Sequence, residues 1–80
     1  MNLRKKIFAE LKRDHFAINH LWWFQKYQNF CNNKLTPVES RQFHAEMKKM
    51  CDEGLFTFEE RNGMPAYRLT RLGEKKLYNT

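Results

Sequence analysis

Eighty residues, 41% hydrophobic and 15% aromatic, make one domain that packs rather than stays disordered, with a core at the small end of what folds unaided. Fifteen Lys and Arg against nine Asp and Glu leave a net charge of +6, which favours polyanionic partners, nucleic acid first. The longest apolar run, Leu21 to Phe24, is too short to span a membrane, and Arg4, Lys5 and Lys6 interrupt any leader-like start.

Two cysteines, Cys31 and Cys51, read as reduced, buried thiols, and a cytoplasmic location follows as the expectation. Asn2 is placed to cap a first helix reaching about Arg13. Leu3, Ile7, Phe8 and Leu11 fall on one face, with a basic remainder around them. Asp14 and His15 break that pattern. Phe16 and Ile18 then alternate with Ala17 and Asn19, which predicts a short strand, and Asn19 is placed to cap a second helix from about His20 to Cys31. On that helix Trp23, Phe24, Tyr27, Phe30 and Cys31 share a face, whereas the helical period points Trp22 away from it. An exposed Trp marks a contact for a second copy or a protein partner. Asn32 to Leu35 read as a polar connection, a little longer than a tight helix-turn-helix turn.

The next helix, 36–53, opens on Thr36 as N-cap, Pro37 in the first turn and Glu39 as the third residue of a capping box. Gly54 suits the left-handed position just past its end. Phe43, Met47, Met50 and Cys51 face the core, with Ser40 near them. Val38, Arg41, Gln42, Ala45, Lys48, Lys49 and Asp52 face outward. Leu55 to Glu60 and Met64 to Thr70 flank Asn62-Gly63, a strong two-residue hairpin signal that would set Phe58 opposite Tyr67. Pro65 predicts an edge position, because it cannot donate to a ladder. Thr70 can cap a last helix from Arg71 to about Asn79 that turns Leu72, Gly73, Lys76 and Leu77 inward.

Helix, glycine stop, hairpin and closing helix resemble the second half of a winged helix-turn-helix domain. The hairpin is most similar to the wings of MarR- and PadR-type bacterial regulators. Gly54-Leu55, Asn62-Gly63, Tyr67-Arg68-Leu69-Thr70, Gly73 and Leu77 carry that likeness. The resemblance implies an α+β fold: a three-helix core, a short strand that pairs with the 55–70 hairpin, and a short C-terminal helix. It also implies transcriptional regulation, with helix 36–53 in the major groove of double-stranded DNA. Arg41 can grip a guanine edge, Gln42 can read adenine, and Ala45 lies near the bases. Thr36 and Ser40 can donate to phosphates at the helix start. Lys34, Lys48 and Lys49 suit the backbone, and Arg61 and Asn62 at the hairpin tip suit the flanking groove. Glu59 and Glu60 oppose that last contact.

The five His and Cys residues show no metal-ligand spacing, no Gly-rich phosphate loop is present, and no pair of carboxylates suggests acid–base chemistry. The expectation is therefore a non-enzyme without cofactor, metal or small-molecule substrate, of bacterial or phage type. The alternative is a winged-helix protein-binding module that uses the aromatic second helix, Trp22 above all.

Overall fold

A computed structural model describes residues 2–79. The order of elements is α1 (Leu3–Arg13), β1 (Leu21–Trp23), α2 (Phe24–Lys34), α3 (Pro37–Asp52), β2 (Phe56–Arg61), β3 (Met64–Leu69) and α4 (Arg71–Tyr78). The fold is α+β, with four helices against one antiparallel sheet whose strands run β1-β3-β2.

Local chemistry sets most of the boundaries. The Asn2 side chain accepts from the Arg4 amide at 2.8 Å, which starts α1. His15 ends it in the left-handed region, φ 55°, while the Phe16 amide reaches the Leu11 carbonyl and the His15 amide that of Lys12. Thr36 and Glu39 form the complete reciprocal capping box of α3. Gly54, φ 82°, closes that helix in the same manner as His15 closes α1. Asn62 and Gly63, at φ 53° and 78°, make the two-residue turn, and Phe58 lies opposite Tyr67 as the turn length requires. Thr70 accepts from the Gly73 amide at 2.9 Å to start α4. A Cβ on Gly73 would collide with the Leu55 carbonyl and the Leu69 side chain, so α4 seats only because that residue is glycine.

The stretch between α1 and α2 differs from the pattern-based expectation. Phe16 to Asn19 form a turn, not a strand. Asn19 sits at φ 71°, and the Ile18 amide donates to the Glu74 carboxylate at 2.9 Å, tying the turn to α4. Pairing with β3 begins where the Asn19 amide meets the Leu69 carbonyl and then continues through Leu21, Trp22 and Trp23 opposite Arg68, Tyr67 and Ala66. The second helix therefore starts at Phe24, behind Trp23, and Asn19 does not cap it. Trp22 obeys strand alternation instead of the helical period, and that turns it inward. It is 2% exposed, with the rings of Phe30, Phe43 and Tyr27 centred 5.5, 5.7 and 6.0 Å away. Trp22 is thus a core residue with no surface to offer a partner.

Other expectations shift by less. α2 continues through Asn32, Asn33 and Lys34, so only Leu35 and Thr36 separate it from α3. β3 is the central strand, and Pro65 is tolerated because pairing with β1 stops at Ala66. On α4, Gly73 and Leu77 are buried, whereas Leu72 and Lys76 face solvent. The core runs continuously from Ile7 and Leu11 through Trp22, Tyr27, Phe43, Met47 and Met50 to Phe56, Leu69 and Leu77.

Candidate nucleic-acid interface

α3 has two chemically opposed faces. Glu39, Glu46 and Glu53 are spaced seven residues apart, so they form one stripe along the helix and its C-cap. All three reach α1. Lys6 Nζ lies 2.7 Å from the Glu39 carboxylate, and Arg4 Nε lies 2.8 Å from that of Glu46. The two terminal nitrogens of Arg4 donate side by side to Glu53 at 2.9 and 2.8 Å. Bonding to Lys6, helped by the Thr36 amide, lowers the Glu39 pKa, and Arg4 does the same for Glu53. Glu53, partly opposed by burial, in turn raises the pKa of the Arg4 guanidinium, and Glu46 adds to it.

The outer face is made of Val38, Arg41, Gln42, Ala45, Lys48, Lys49 and Asp52, all exposed as the spacing predicts. Its three cations meet one carboxylate. Lys48 leans toward Asp52 at 3.5 Å, but both side chains are mostly in water, so that tie holds little of the charge. Because the glutamates are turned to α1, the outward surface of α3 is more basic than its sequence.

The sites expected around this face divide. Arg41, Gln42, Ala45, Lys48 and Lys49 lie together on it. Thr36 is exposed beside it, its hydroxyl oxygen accepting from the Glu39 amide at 3.2 Å, which leaves its own proton to donate. Ser40 is half-buried beside the Cys31 thiol, whose pKa burial raises and Ser40 partly lowers again. Ser40 is thus less open to a phosphate than the exposed Thr36. Lys34 is held by Glu10 at 2.9 Å, on the α1 side, and does not join the face. The helix start already carries its own anion, since Glu39 accepts from the Thr36 amide at 2.9 Å.

On the hairpin, Arg61 and Asn62 are exposed at the tip, with Arg61 bonded to Glu59 at 3.2 Å. Glu59 is also chelated by Arg68, one of whose terminal nitrogens lies 3.0 Å away. Arg68 first, and then Arg61, draw the Glu59 carboxyl down to a pKa of about 2. Its charge is answered within the sheet, so Glu60 is the carboxylate left to oppose a polyanion at this end.

Sequence reasoning missed an aromatic surface beside α3. Tyr67 is buried and its hydroxyl lies 3.3 Å from His44 Nδ1 on α3. Burial pushes the Tyr67 phenol up to about 12, so it stays protonated at neutral pH. Phe58 packs on Tyr67 and Phe24 packs on Tyr27, with both phenylalanines exposed at their outer edges. The signal for Phe58 was its place opposite Tyr67 in the hairpin register, on the outer strand of the sheet. Among the described residues, no three His, Cys, Asp or Glu side chains gather in a group able to hold a metal ion. Nor is any helix among the described residues long and apolar enough to cross a membrane. No protein-family model, curated protein or solved structure matches the chain.

Proposed function

We propose that the chain is a small winged-helix DNA-binding protein, a transcriptional regulator of the cytoplasm and nucleoid that acts without catalysis. The observation that carries this reading is the charge sorting of α3, whose glutamates are tied to α1 while Arg41, Lys48 and Lys49 face outward around Gln42 and Ala45. The element order and the β1-β3-β2 sheet, with its hairpin beside α3, support the same reading.

A helix of 16 residues is about 24 Å long and fits a major groove about 12 Å wide. Arg41 pairs with a guanine edge and Gln42 with adenine. Ala45 is small enough to let the helix approach and to meet a thymine methyl. Lys48, Lys49 and Thr36 hold phosphates, and Arg61 and Asn62 place the wing tip on the neighbouring backbone. The proposed contact set no longer includes Ser40 or Lys34.

The test is an anisotropy titration of a labelled mixed-sequence duplex at several salt concentrations. About four neutralised phosphates give a log–log salt slope of about −3 to −4. Arg41→Glu/Lys49→Glu removes binding. A slope near zero, or binding that persists in the double variant, overturns the proposal.

One observation favours a second reading, a protein-binding module: the exposed edges of Phe24 and Phe58 flank a continuous ring cluster through Tyr27 and Tyr67. In that case Phe24→Ser/Phe58→Ser releases a co-purifying partner, and Arg41→Glu/Lys49→Glu leaves the partner bound. Trp22 has no part in it.

A further inference from the structure

The contacts proposed for α3 pass over one exposed residue that its neighbours hold in place. His44 follows Arg41 by three residues and precedes Lys48 by four, so these three side chains share one ridge of the helix. That ridge borders the outer face on the side nearest the sheet. The His44 ring meets Phe43 and Tyr27 edge-on, with ring centres 5.3 and 5.9 Å apart, and its Nδ1 lies 3.3 Å from the Tyr67 hydroxyl.

That hydroxyl decides which ring nitrogen carries the hydrogen. Tyr67 is buried and protonated at neutral pH, with its pKa pushed up to about 12 by burial. Among the described residues, His44 Nδ1 is the acceptor its hydrogen reaches. The reverse arrangement, with Nδ1–H donating to the phenol oxygen, would leave that hydrogen without a protein partner at a buried residue. A neutral imidazole that accepts at Nδ1 carries its hydrogen on Nε2. The two nitrogens face away from each other across the ring, so a donor is turned off the sheet. Among the described residues no hydrogen bond engages Nε2.

We infer that His44 is a base-reading residue of α3, donating from Nε2 to N7 of the guanine next to the one gripped by Arg41, with Tyr67 as its positioning residue. This role presupposes the duplex contact proposed for α3 and narrows its target to two adjacent guanines on one strand. Spacing argues for neighbouring bases. Three residues advance about 4.5 Å along a helix, close to the roughly 3.4 Å between bases of one strand. Residues three apart on a groove-bound helix accordingly meet successive bases. Chemistry argues for guanine. Arg41 and a His44 of this tautomer offer only donors, and guanine presents only acceptors, N7 and O6, in the major groove. Adenine sets its N6 amino group, itself a donor, beside N7, and cytosine presents a donor.

Selection from a random duplex library gives the preferred site, expected to contain two adjacent guanines. Anisotropy titrations then compare that duplex with two versions in which one guanine or the other is 7-deazaguanine, which lacks N7 but pairs normally. Wild type is expected to lose about tenfold in affinity with either change. His44→Phe should bind the unmodified duplex about tenfold more weakly and ignore the change at one guanine while staying sensitive at the other. Arg41→Ala should show the converse. Tyr67→Phe should bind severalfold more weakly, with its reduced sensitivity confined to the guanine read by His44. His44→Phe/Tyr67→Phe replaces both bonded partners with rings of similar shape, so it is expected to stay folded by circular dichroism and to behave as His44→Phe does. A selection that returns no site, or a site without adjacent guanines, overturns the inference. So does sensitivity at both guanines in the two His44 variants, the result expected if His44 only fastens the sheet to α3. In those cases salt-dependent duplex binding leaves the proposal for α3 standing, whereas absence of duplex binding by wild type overturns both.

Discussion

The face of α3 turned toward α1 and the face turned toward solvent come from one short helix, yet they use charge in opposite ways. Along the first, Glu39, Glu46 and Glu53 meet Lys6 and Arg4 at 2.7 to 2.9 Å, and charge of both signs is spent joining two helices. Along the second, Arg41 and Lys49 have no carboxylate within ion-pairing distance among the described residues, and Lys48 has only a distant one. The difference teaches that net charge understates the field on this surface. Acidic residues withdrawn into helix–helix contacts leave the opposite side of the same helix basic. A +6 chain with evenly mixed charges would not present such a face.

The sharpest way to separate structure from interface is to remove what both faces share. Trp22 packs under α2 and α3 at once, so Trp22→Ala is expected to cost about 3–5 kcal/mol. For an 80-residue domain, whose stability is about 4–12 kcal/mol, that is a large share. Urea titration followed by circular dichroism checks it, and DNA binding and folding are expected to fall together. If Trp22→Ala leaves the urea midpoint in place, the burial described for this ring is wrong.

Next in size is the outer face alone. Arg41→Glu/Lys49→Glu is expected to lower duplex affinity by about a hundredfold or more, as two attractive contacts become repulsive. The urea midpoint should hardly move, because neither side chain makes a tertiary ion pair. A large drop in stability would place these residues in the scaffold.

The inner face should give the converse result. Arg4→Met removes the ties to Glu46 and Glu53 while keeping most of the apolar stem, and the Arg4 side chain is only a quarter exposed. The expected cost is about 1–2 kcal/mol in urea titration, with two partners and a bidentate geometry lifting it above an ordinary surface pair. Duplex affinity at temperatures where the protein stays folded should change little. Loss of affinity without loss of stability would mean that Arg4 contacts DNA directly.

What was legible in the sequence was short-range chemistry. Thr36 with Glu39, Gly54, Asn62-Gly63 and Thr70 each encode a boundary within a few residues, and the hairpin register follows from its turn. The outward set on α3 followed from the helical period once its start was fixed. The segment from Phe16 to Phe24 was not legible, because Leu21-Trp22-Trp23-Phe24 is apolar at either period. What decided it was distant: pairing with β3, and a left-handed Asn19 that aims the chain toward that strand. Trp22 changed from surface to core with that one decision. The ties of Lys34 to Glu10 and of Ser40 to Cys31 likewise depend on which helices meet. The seven-residue spacing of Glu39, Glu46 and Glu53 could have been read, but its partner on α1 could not.

The smallest expected effect is the acid limb of stability, and it resolves the two faces by titration. Glu39 and Glu53 have pKa values held below the ordinary carboxyl value by Lys6 and Arg4, and Glu59 is held near 2 by Arg68. A depressed folded pKa stabilises fully above the unfolded value, about 4.3, and that contribution fades as pH falls through the folded value. Wild-type stability should therefore decline below about pH 4.3. Lys6→Met should flatten the part of that decline due to Glu39, and Arg4→Met the part due to Glu53. Glu59, on the hairpin, stays as the common remainder in both variants. Arg41→Glu/Lys49→Glu removes neither of the cations that bond these carboxylates, so it should leave most of the limb in place. Urea midpoints at a series of pH values between about 2 and 6 make the comparison. An unchanged limb in both Lys6→Met and Arg4→Met would mean that the inner face is not held by these ion pairs, and the sorting of charge on α3 would then need another cause.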